Sequence, residues 1–312
     1  MSEFQQNFRK DVIAGLNKDP KSLPSKYFYD DEGSKIFREI MDMPEYYLPK
    51  AEFEIIQNHA EDIAQKMPCR HLDLVELGAG DGRKMVRFIQ TLSLRISNLN
   101  YFPLDISEKA LALNEQLIRN QAPSVKTKGF AGDYFETYSQ FKARPYPKLV
   151  VFAGSNIGNF RKDESIRFLE FIKGGLREVD FFILGVDLKK NPKQIIQAYD
   201  DPQGITKRFN LNLLTRINRE LDADFNLDAF DHYATYHPLT GACESFLVSL
   251  ENQSVKVGEE IFSLRKDEVI QTEISQKFDT VHLNELSREA GLRIDTMYVD
   301  PNHYFSWVLF KV

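Results

Sequence analysis

From about Leu72 to Leu188, the sequence alternates short apolar runs with stretches of helical periodicity, and this alternation restricts the fold more than any other feature. The apolar runs are LDLVEL, YFPLDI, VKTKGFAG, KLVVFAG and FFILGVDL. Stretches such as EKALALNEQLIRNQ and ESIRFLEFIKGGL separate them, with apolar residues about 3.6 positions apart. Strands that alternate with helices are typical of an α/β fold with a parallel sheet and crossover helices. At the carboxyl end, NELSREAGL predicts a helix, and RIDTMYVD and YFSWVLFKV predict a closing antiparallel hairpin.

Two regions fall outside this alternation, residues 19–50 and residues 189–276. An insertion as long as the second region, between two elements of a sheet, is seldom a plain loop. We expect the two regions to form a second, smaller α+β domain or lid that binds the substrate. The main domain is expected to comprise residues 51–188 and 277–312, with an amino-terminal helix at 1–18 packed on it.

The charge balance excludes several partners. The chain of 312 residues has 40 Lys and Arg against 46 Asp and Glu, a net charge of −6, so no global charge attracts nucleic acid or an anionic membrane. The longest apolar runs are too short to cross a bilayer. The amino terminus, MSEFQQNFRKDVIAGLNKDPK, lacks the apolar core of a signal peptide. We expect a soluble, cytoplasmic protein and a monomer.

Cysteine and histidine spacing does not predict a metal site. Cys69 and Cys243 form no CxxC pair, and the six histidines show no HxxxH or HExxH spacing. Cys69 and His71 alone make a poor metal site and are better interpreted as loop or core residues. Neither a disulfide framework nor a bound metal is expected.

The first strand leads into a glycine-rich turn in VELGAGDGRKMVRFI, residues 75–89. A strand followed by glycines and a helix is the dinucleotide-binding arrangement, in which glycines let the backbone approach the ligand. Gly78, Gly80 and Gly82 form a GxGxG pattern. The dinucleotide fingerprint requires its third glycine one position later, where Arg83 stands. The turn therefore argues against a nicotinamide-dependent oxidoreductase, which remains a distant alternative.

Acidic residues at the ends of the next two strands indicate a different ligand. Asp105 closes YFPLDI, where its carboxylate can accept both hydroxyl hydrogens of a ribose. Asp133 closes the third strand beside Tyr134, where it can receive the exocyclic amine of adenine. A ligand with ribose, adenine, a cationic amino-acid tail and no phosphate is S-adenosylmethionine (SAM). A purely structural tight turn is the alternative, and the two strand-end acids favour SAM over it.

The turn VELGAGDG resembles the first motif of the class I methyltransferases that use SAM. The blocks KSLPSKYFYDDEGSKIF, PEYYLPKAE, GSNIGNF, AYDDPQGITKRFNLNLL and NRELDADFNLDAF resemble the histidine Nα-methyltransferases of ergothioneine biosynthesis. They extend from about residue 10 to the end, so the resemblance covers nearly the whole chain. It implies a Rossmann-like class I methyltransferase sheet in the main domain. It also implies that SAM methylates the α-amine of L-histidine to give its trimethylated betaine, hercynine.

Several residues are candidate ligands of an amino-acid substrate. Asn159 follows the fourth strand in GSNIGN, where its amide can bind a carboxylate or an amine, although a turn-forming asparagine is the structural alternative. Glu273 and Ser275 lie two apart in VIQTEISQKF, so an extended segment directs both to one side, where they can bind the two nitrogens of an imidazole. Solvated polar residues on a strand are the alternative. The resemblance implies that Asn159 and Tyr199 hold the substrate's backbone groups, that Tyr46 lines the pocket, and that Glu273 and Ser275 bind the histidine side chain.

On the cofactor side, the resemblance supports the assignment of Gly78, Asp105, Asp133 and Tyr134 to SAM. It adds Lys84, which we expect in the first turn of the helix after the glycines, within reach of the cofactor carboxylate. An exposed helix lysine is the alternative interpretation.

Methyl transfer from a sulfonium to an amine is an in-line displacement that depends mainly on alignment, so no strong base is required. The nearby sulfonium lowers the pKa of the amine by like-charge repulsion. Tyr29 in YFYDD is the candidate hydroxyl that directs the amine lone pair, with water as the final proton acceptor. Tyr46 and Phe209 can face the methylated ammonium, which makes repeated transfer possible.

Ser245 is the main departure from the family pattern, because the histidine enzymes present a larger apolar side chain at this place. A smaller residue leaves room for a bulkier substrate. An Nα-methyltransferase of another aromatic amino acid, such as tryptophan, is therefore the alternative function. A protein that binds the cofactor without catalysis is a further alternative.

Overall fold

The computed structural model describes residues 3–67 and 70–312, so Cys69 lies outside the described residues. The chain divides into two compact units. Unit 1 comprises the described residues as far as Tyr47 together with Lys190–Gln276. Unit 2 comprises the described residues of Leu48–Lys189 together with Lys277–Val312. Each unit is thus built from two separate segments of the sequence.

The α-helices of the described chain follow the apolar periodicity of the sequence. They are α1 (Glu3–Leu16), α2 (Asp31–Met41), α3 (Leu48–Lys66), α4 (Val86–Arg95), α5 (Glu108–Gln121), α6 (Tyr134–Tyr138), α7 (Lys162–Lys173), α8 (Pro192–Tyr199), α9 (Ile205–Leu221) and α10 (Thr280–Ala290). Short 3₁₀ helices span Ser25–Phe28, Ser139–Phe141, Asn156–Asn159 and Leu227–Ala229. No helix within these residues combines the length and apolar character that a membrane crossing requires.

Capping residues explain where several of these helices begin and end. The Ser107 hydroxyl accepts a hydrogen bond from the Ala110 amide at the start of α5, and the Asp279 carboxylate accepts one from the His282 amide at the start of α10. Helix α10 ends at Gly291, which has a φ of 66°, a left-handed conformation that favours glycine.

The strands are short and of the lengths that the apolar runs predict. They are β1 (Lys21–Ser22), β2 (His71–Leu77), β3 (Asn98–Asp105), β4 (Lys126–Thr127), β5 (Phe130–Ala131), β6 (Lys148–Phe152), β7 (Phe181–Asp187), β8 (Phe230–Tyr236), β9 (Ala242–Ser249), β10 (Gln253–Val257), β11 (Glu260–Leu264), β12 (Val269–Gln276), β13 (Arg293–Val299) and β14 (Phe305–Lys311). The run VKTKGFAG is an exception, because it forms the two separate strands β4 and β5. Both pair with β3 in parallel.

Unit 2 contains the main sheet, with strand order β13-β14-β7-β6-β2-β3-β4. Strands β2, β3, β4, β6 and β7 are parallel, and β14 is antiparallel to both of its neighbours, β7 and β13. The residues of β7 are buried throughout, as expected for a strand covered on both faces. This is the Rossmann-like class I arrangement with the closing antiparallel hairpin, and both sequence-based predictions are confirmed.

The strand order of unit 2 defines where a ligand can bind. The chain runs outward from β2 through β3 to β4 on one side, and from β6 to β7 on the other. Ligands of such sheets bind at the carboxyl ends of the strands where the order reverses. The glycine turn follows β2, Asp105 ends β3, and Asn159 follows β6. These residues therefore share one edge of the sheet.

Unit 1 is an α+β structure around a sheet with the order β1-β12-β9-β8. Strand β12 is antiparallel to β9, which is antiparallel to β8, while the short β1 runs parallel to β12. A separate hairpin consists of β10 and β11. Residues of β9 alternate between buried and half-buried, which is typical of a sheet with one face on the core. The core of the unit includes Phe209, Leu213 and Ile217 of α9.

Helix α1 belongs to unit 1, which corrects the expectation that residues 1–18 pack on the main domain. Phe8, Val12 and Leu16 lie four positions apart, are at most 1% exposed, and join the core that contains α9. The Phe8 ring lies 4.4 Å from the Tyr27 ring, measured between centroids. An amphipathic stripe has to be buried, but its periodicity does not identify the surface that buries it.

Candidate active site

The glycine turn of unit 2 adopts backbone conformations that other residues rarely take. Gly80 and Gly82 have φ values of 56° and 81°. A Cβ on Gly82 would lie 2.7 Å from the Cγ atom of Asn114, so this position also requires a residue without a side chain. A Cβ on Gly80 would meet nothing within 4 Å. The backbone at Gly80 is therefore open to a ligand, whereas Gly82 packs against the protein. Gly78, which begins the turn, also has a positive φ, 67°.

Asp105 is fixed at the end of β3 by two backbone amides. Its Oδ2 atom accepts a hydrogen bond from the Gly80 amide at 2.8 Å, and its Oδ1 atom accepts one from the Ser107 amide at 2.9 Å. The side chain is half-buried. A carboxylate has about four lone-pair sites, so two acceptor positions remain for a vicinal diol.

Asp133 and Tyr134 lie at the start of α6. The Asp133 Oδ1 atom accepts a hydrogen bond from the Phe135 amide at 2.7 Å and caps the helix. The Tyr134 ring is half-buried, with its centroid 5.7 Å from that of Phe152 and 6.0 Å from that of Phe168. The third acid expected from the sequence is therefore at the same edge of the sheet as Asp105.

Lys84 lies in the turn before α4, which begins at Val86, and not in the first turn of the helix as expected. Its Nζ atom is 2.9 Å from Oε2 of Glu52, a buried residue of α3. Burial alone would lower the pKa of Lys84, but the carboxylates of Glu52 and Glu76 outweigh this effect and raise it. The ammonium is therefore charged at neutral pH. The side chain is 36% exposed and can meet a further anionic group.

Glu76 is buried near the end of β2, two residues before the first glycine of the turn. The Tyr101 hydroxyl donates a hydrogen bond to its Oε2 atom, and the Asn114 side-chain amide donates to both the Tyr101 hydroxyl and the Gly80 carbonyl, at 3.2 Å each. Burial raises the pKa of Glu76 to about 8, although the hydrogen bond from Tyr101 and the charge of Lys84 oppose the rise. This network connects the glycine turn to the sheet and α5.

Asn159 ends the 3₁₀ helix that follows β6, and it is half-buried in unit 2. The same helix begins with Asn156, whose Nδ2 atom lies 3.5 Å from the position of a Cβ on Gly78. Asn159 belongs to unit 2, as do the predicted SAM ligands. The other predicted substrate ligands belong to unit 1.

The other predicted substrate residues lie in unit 1, where aromatic rings form a continuous series. The Tyr29 and Phe209 centroids are 5.7 Å apart, those of Phe209 and Phe37 are 5.8 Å apart, and those of Phe37 and Tyr46 are 6.3 Å apart. The Tyr46 ring centroid in turn lies 6.3 Å from that of Tyr199. Phe37 was not predicted from the sequence, because in GSKIFREI it follows the pattern of an ordinary core residue of an amphipathic helix.

The series ends in a polar group on the sheet. The hydroxyls of Tyr199 and Ser275 are 2.8 Å apart and hydrogen-bonded in a buried position. Glu273 precedes Ser275 by two residues in β12, and it pairs in register with Ser245 of β9. The Ser245 hydroxyl donates to Glu273 Oε2 at 3.5 Å. The same-side placement of Glu273 and Ser275 agrees with the sequence-based expectation, and Ser245 directly contacts the carboxylate.

Tyr29 follows the 3₁₀ helix Ser25–Phe28 and is 44% exposed. Desolvation, and then the negative charge of Glu273, raise the pKa of Tyr29 above its usual value of 10.0. The phenol is therefore neutral at physiological pH. It can donate or accept a hydrogen bond, but it does not supply a strong base.

Among the described residues, no group of three or more His, Cys, Asp or Glu side chains is arranged to hold a metal ion. Cys243 is buried opposite Ser275 in the sheet register. It packs in an apolar cluster with Tyr199 and Ala234.

A family profile described as "Histidine-specific methyltransferase, SAM-dependent" matches residues 8–312. The chain belongs to this family. The resemblance stated from the sequence is thus confirmed, and so is the assignment of the protein as a SAM-dependent methyltransferase.

Curated relatives match this chain over most of its length. It is 38% identical over 286 residues to a histidine N-alpha-methyltransferase of Mycobacterium tuberculosis, which covers 91% of this chain and 88% of the relative. It is 34% identical over 298 residues to the Mycolicibacterium smegmatis enzyme of the same name, which covers 94% and 91%. It is also 26% identical over 325 residues to a 4-dimethylallyltryptophan N-methyltransferase of Epichloe festucae var. lolii, which covers 96% and 93%.

The residues of unit 2 in this SAM-dependent methyltransferase fit the cofactor. The open backbone at Gly80 admits a ligand, and Asp105 presents an oriented carboxylate of the kind that binds a ribose diol. Lys84 offers a partly exposed cation suited to a carboxylate. SAM has no pyrophosphate, so its site does not require a cluster of cations.

Proposed function

We propose that this protein methylates the α-amine of L-histidine three times with SAM and releases hercynine, as in ergothioneine biosynthesis. The observation that carries the proposal is the group formed by Glu273, Ser275 and Tyr199 at the end of the aromatic series. It combines a half-buried carboxylate with two hydroxyls on one face of a sheet. An imidazole carries two nitrogens that can serve as donor and acceptor, and such a group satisfies both.

The carboxylate of Glu273 discriminates between side chains. A half-buried carboxylate loses hydration and requires a hydrogen-bond donor in return. Imidazole has an N–H group to donate, and a phenyl ring has none. The hydroxyl of Ser275, already bonded to Tyr199, is suited to the second imidazole nitrogen.

The aromatic series supports repeated methylation of the amine. Tyr29, Phe37, Tyr46 and Phe209 present ring faces and edges within one short series. A cation over an aromatic face gains about 0.5–1 kcal/mol at exposed sites and more when it is desolvated. Methyl groups weaken hydration of the ammonium, so each further methylation favours the aromatic environment more.

On the cofactor side, bound SAM supplies an electrophilic methyl group. We assign Asp105 to the ribose hydroxyls, Asp133 and Tyr134 to the adenine, and Lys84 to the carboxylate. Gly78, which begins the glycine turn with a φ of 67°, completes this group. Tyr29 is assigned to orient the amine, since its neutral hydroxyl can accept a hydrogen bond from the amine and direct the lone pair. Asn159 is assigned to the substrate carboxylate or amine on the basis of the family resemblance.

Calorimetric titration of the twenty amino acids in the presence of S-adenosylhomocysteine tests the proposal. We expect histidine to bind and the other amino acids to bind at least about tenfold more weakly, since an unpaired Glu273 costs the others free energy. The Asp105→Ala variant, which is expected to fold but to lose affinity for S-adenosylhomocysteine, is the control for cofactor dependence. Tighter binding of another amino acid would refute the histidine assignment.

A second candidate function is Nα-methylation of tryptophan or a derivative. Ser245 favours it, because this small buried residue lies directly against Glu273. The relative named for 4-dimethylallyltryptophan gives the substrate class independent support. Tryptophan binding in the same titration, with histidine binding weakly or not at all, would establish this alternative.

A further inference from the structure

Glu52 is a buried carboxylate in unit 2 and is not among the proposed cofactor or substrate ligands. It lies in α3 and is 1% exposed. Its Oε1 atom accepts hydrogen bonds from the Trp307 indole at 2.7 Å and from the Gly154 amide at 3.0 Å. Its Oε2 atom lies 2.9 Å from Nζ of Lys84. One side chain therefore joins a helix, the last strand, the loop after β6 and the turn before α4.

The surrounding residues leave room for this carboxylate. A Cβ on Gly185 in β7 would lie 2.9 Å from Glu52 Oε1, so a larger residue there would collide with it. A Cβ on Gly154, which has a φ of 73°, would lie 3.1 Å from Lys84 Nζ. Both glycines therefore border the Glu52 and Lys84 pair. Burial of a carboxylate is unfavourable unless the carboxylate is paired with a cation and hydrogen-bonded, and Glu52 has both kinds of partner.

The two members of the ion pair differ in exposure. The Glu52 side chain is 2% exposed, whereas that of Lys84 is 36% exposed. The ammonium has three donors, and Glu52 engages it from the buried side. The exposed side of the ammonium can still bind an anionic ligand. Glu52 thus acts as a support behind the cation and not as a ligand itself.

We propose that Glu52 is a positioning residue for SAM. It holds the Lys84 ammonium and the Gly154 backbone in the geometry that receives the carboxylate of the cofactor's methionine moiety. The proposal rests on the assignment of Lys84 to that carboxylate. A free lysine side chain would lose more conformational entropy on binding than one already held by an ion pair. Removal of the Glu52 charge should therefore weaken the cofactor through Lys84.

A double-mutant cycle measured by calorimetry with S-adenosylhomocysteine tests the proposal. The cycle compares the wild type with Glu52→Gln, Lys84→Met and the double variant. We expect Glu52→Gln to weaken S-adenosylhomocysteine about tenfold in the wild type and less than about twofold in the Lys84→Met background, because coupled residues are not additive. An unchanged affinity in Glu52→Gln would overturn the proposal, and so would an equal loss in both backgrounds.

The matched control is Asp180→Asn. Asp180 also forms a buried ion pair in unit 2, with Lys148, and both side chains are 0% exposed. Lys148 starts β6, whereas Gly154 follows its end, so this pair lies at the opposite edge of the sheet. Asp180→Asn should lower the melting temperature and change the affinity for S-adenosylhomocysteine by less than about twofold in either background. A loss like that of Glu52→Gln would overturn the proposal, since any damaged buried pair would then have the same effect.

Two further results separate this proposal from its premise. If Lys84→Met leaves S-adenosylhomocysteine affinity unchanged, the assignment of Lys84 fails, and the role of Glu52 fails with it. If Lys84→Met weakens binding and Glu52→Gln does not, only the role of Glu52 fails. Should Glu52→Gln not fold, Trp307→Phe removes one donor to the same carboxylate. We then expect a loss of about threefold that disappears in the Lys84→Met background, and an unchanged affinity would overturn the proposal.

Discussion

At the scale of single residues, Glu273 is expected to decide which side chain is accepted. Glu273→Ala removes the carboxylate that requires a donor and enlarges the space already left by Ser245. We expect kcat/KM for histidine to fall by about tenfold to a hundredfold, the range for a hydrogen bond to a charged group. The relative kcat/KM for tryptophan or phenylalanine should rise, and comparison of the three amino acids in both proteins measures this.

The control for this variant is Glu244→Gln. Glu244 lies next to Ser245 in β9 but pairs with Ile274, so it belongs to the other face of the sheet. Its removal should change the kcat/KM values by less than about twofold. A histidine preference that survives in Glu273→Ala would mean that Glu273 does not bind the imidazole.

Tyr29→Phe separates the hydroxyl of Tyr29 from its ring. The ring contacts with Phe37 and Phe209 remain, while the group proposed to orient the amine is lost. We expect kcat to fall by about tenfold and KM for histidine to change by less than about threefold.

The pH profile gives a second measurement on Tyr29. Desolvation and the charge of Glu273 raise the pKa of Tyr29, so its hydroxyl does not ionise in the neutral or mildly alkaline range. The alkaline limb of kcat/KM should therefore coincide in wild type and Tyr29→Phe. A limb that disappears in the variant would show that Tyr29 itself titrates.

Individual residues differ in how far the sequence reveals them. Asp105 was predictable because an acid at the end of an apolar run marks the edge of a parallel sheet. Glu52 was not, since a glutamate in PKAEFEII follows the pattern of an exposed helical charge. Its partners, Lys84, Gly154 and Trp307, are distant in sequence and meet only in the fold.

At the scale of elements, we expect Glu76, which precedes the glycine turn, to make the free energy of unfolding depend on pH. Burial raises the pKa of Glu76 in the folded protein from 4.5 to about 8. The folded state therefore holds a proton that the unfolded chain releases, and the stability from this group is lost as pH rises toward 8. The loss amounts to about 2 kcal/mol between pH 6 and pH 8.

Glu76→Gln removes this titration while keeping a polar side chain of similar size. We expect the free energy of unfolding of Glu76→Gln, relative to wild type, to increase by about 2 kcal/mol from pH 6 to pH 8 in denaturant titrations. Glu136→Gln, which removes an exposed carboxylate, is the control for net charge and should show no such change. Equal differences at both pH values would contradict the expectation.

Element types were more predictable than their details. The apolar runs predicted the strands of the parallel sheet and the final hairpin, because buried strands are continuously apolar. VKTKGFAG forms β4 and β5 instead of one strand, since Lys128 and Gly129 leave the strand conformation between them. Lys84 precedes α4 because the glycine turn continues through Met85, and no capping side chain marks the start of this helix.

At the scale of the whole molecule, the complete reaction with histidine should end at the trimethylated product. The aromatic series favours each more methylated cation, so mono- and dimethylhistidine should remain minor in the presence of excess SAM. Mass spectrometry of the reaction over time measures the three species. Accumulation of a monomethyl product with SAM still in excess would contradict this expectation.

The division of each unit between two distant segments has a consequence for biosynthesis of the chain. Lys21 in β1 pairs with Ile270 in β12, and the apolar side of α1 packs in a core that includes α9. In unit 2, β14 adds to the sheet beside β7 only after β8 to β12 have been made. During translation, the apolar face of α1 therefore lacks its partners until late, and β7 remains an unpaired edge on the nascent chain. Pairing between segments so distant in sequence is typical of slow folding and of exposure to aggregation. We therefore expect the yield of native protein to respond strongly to elongation rate and to chaperones.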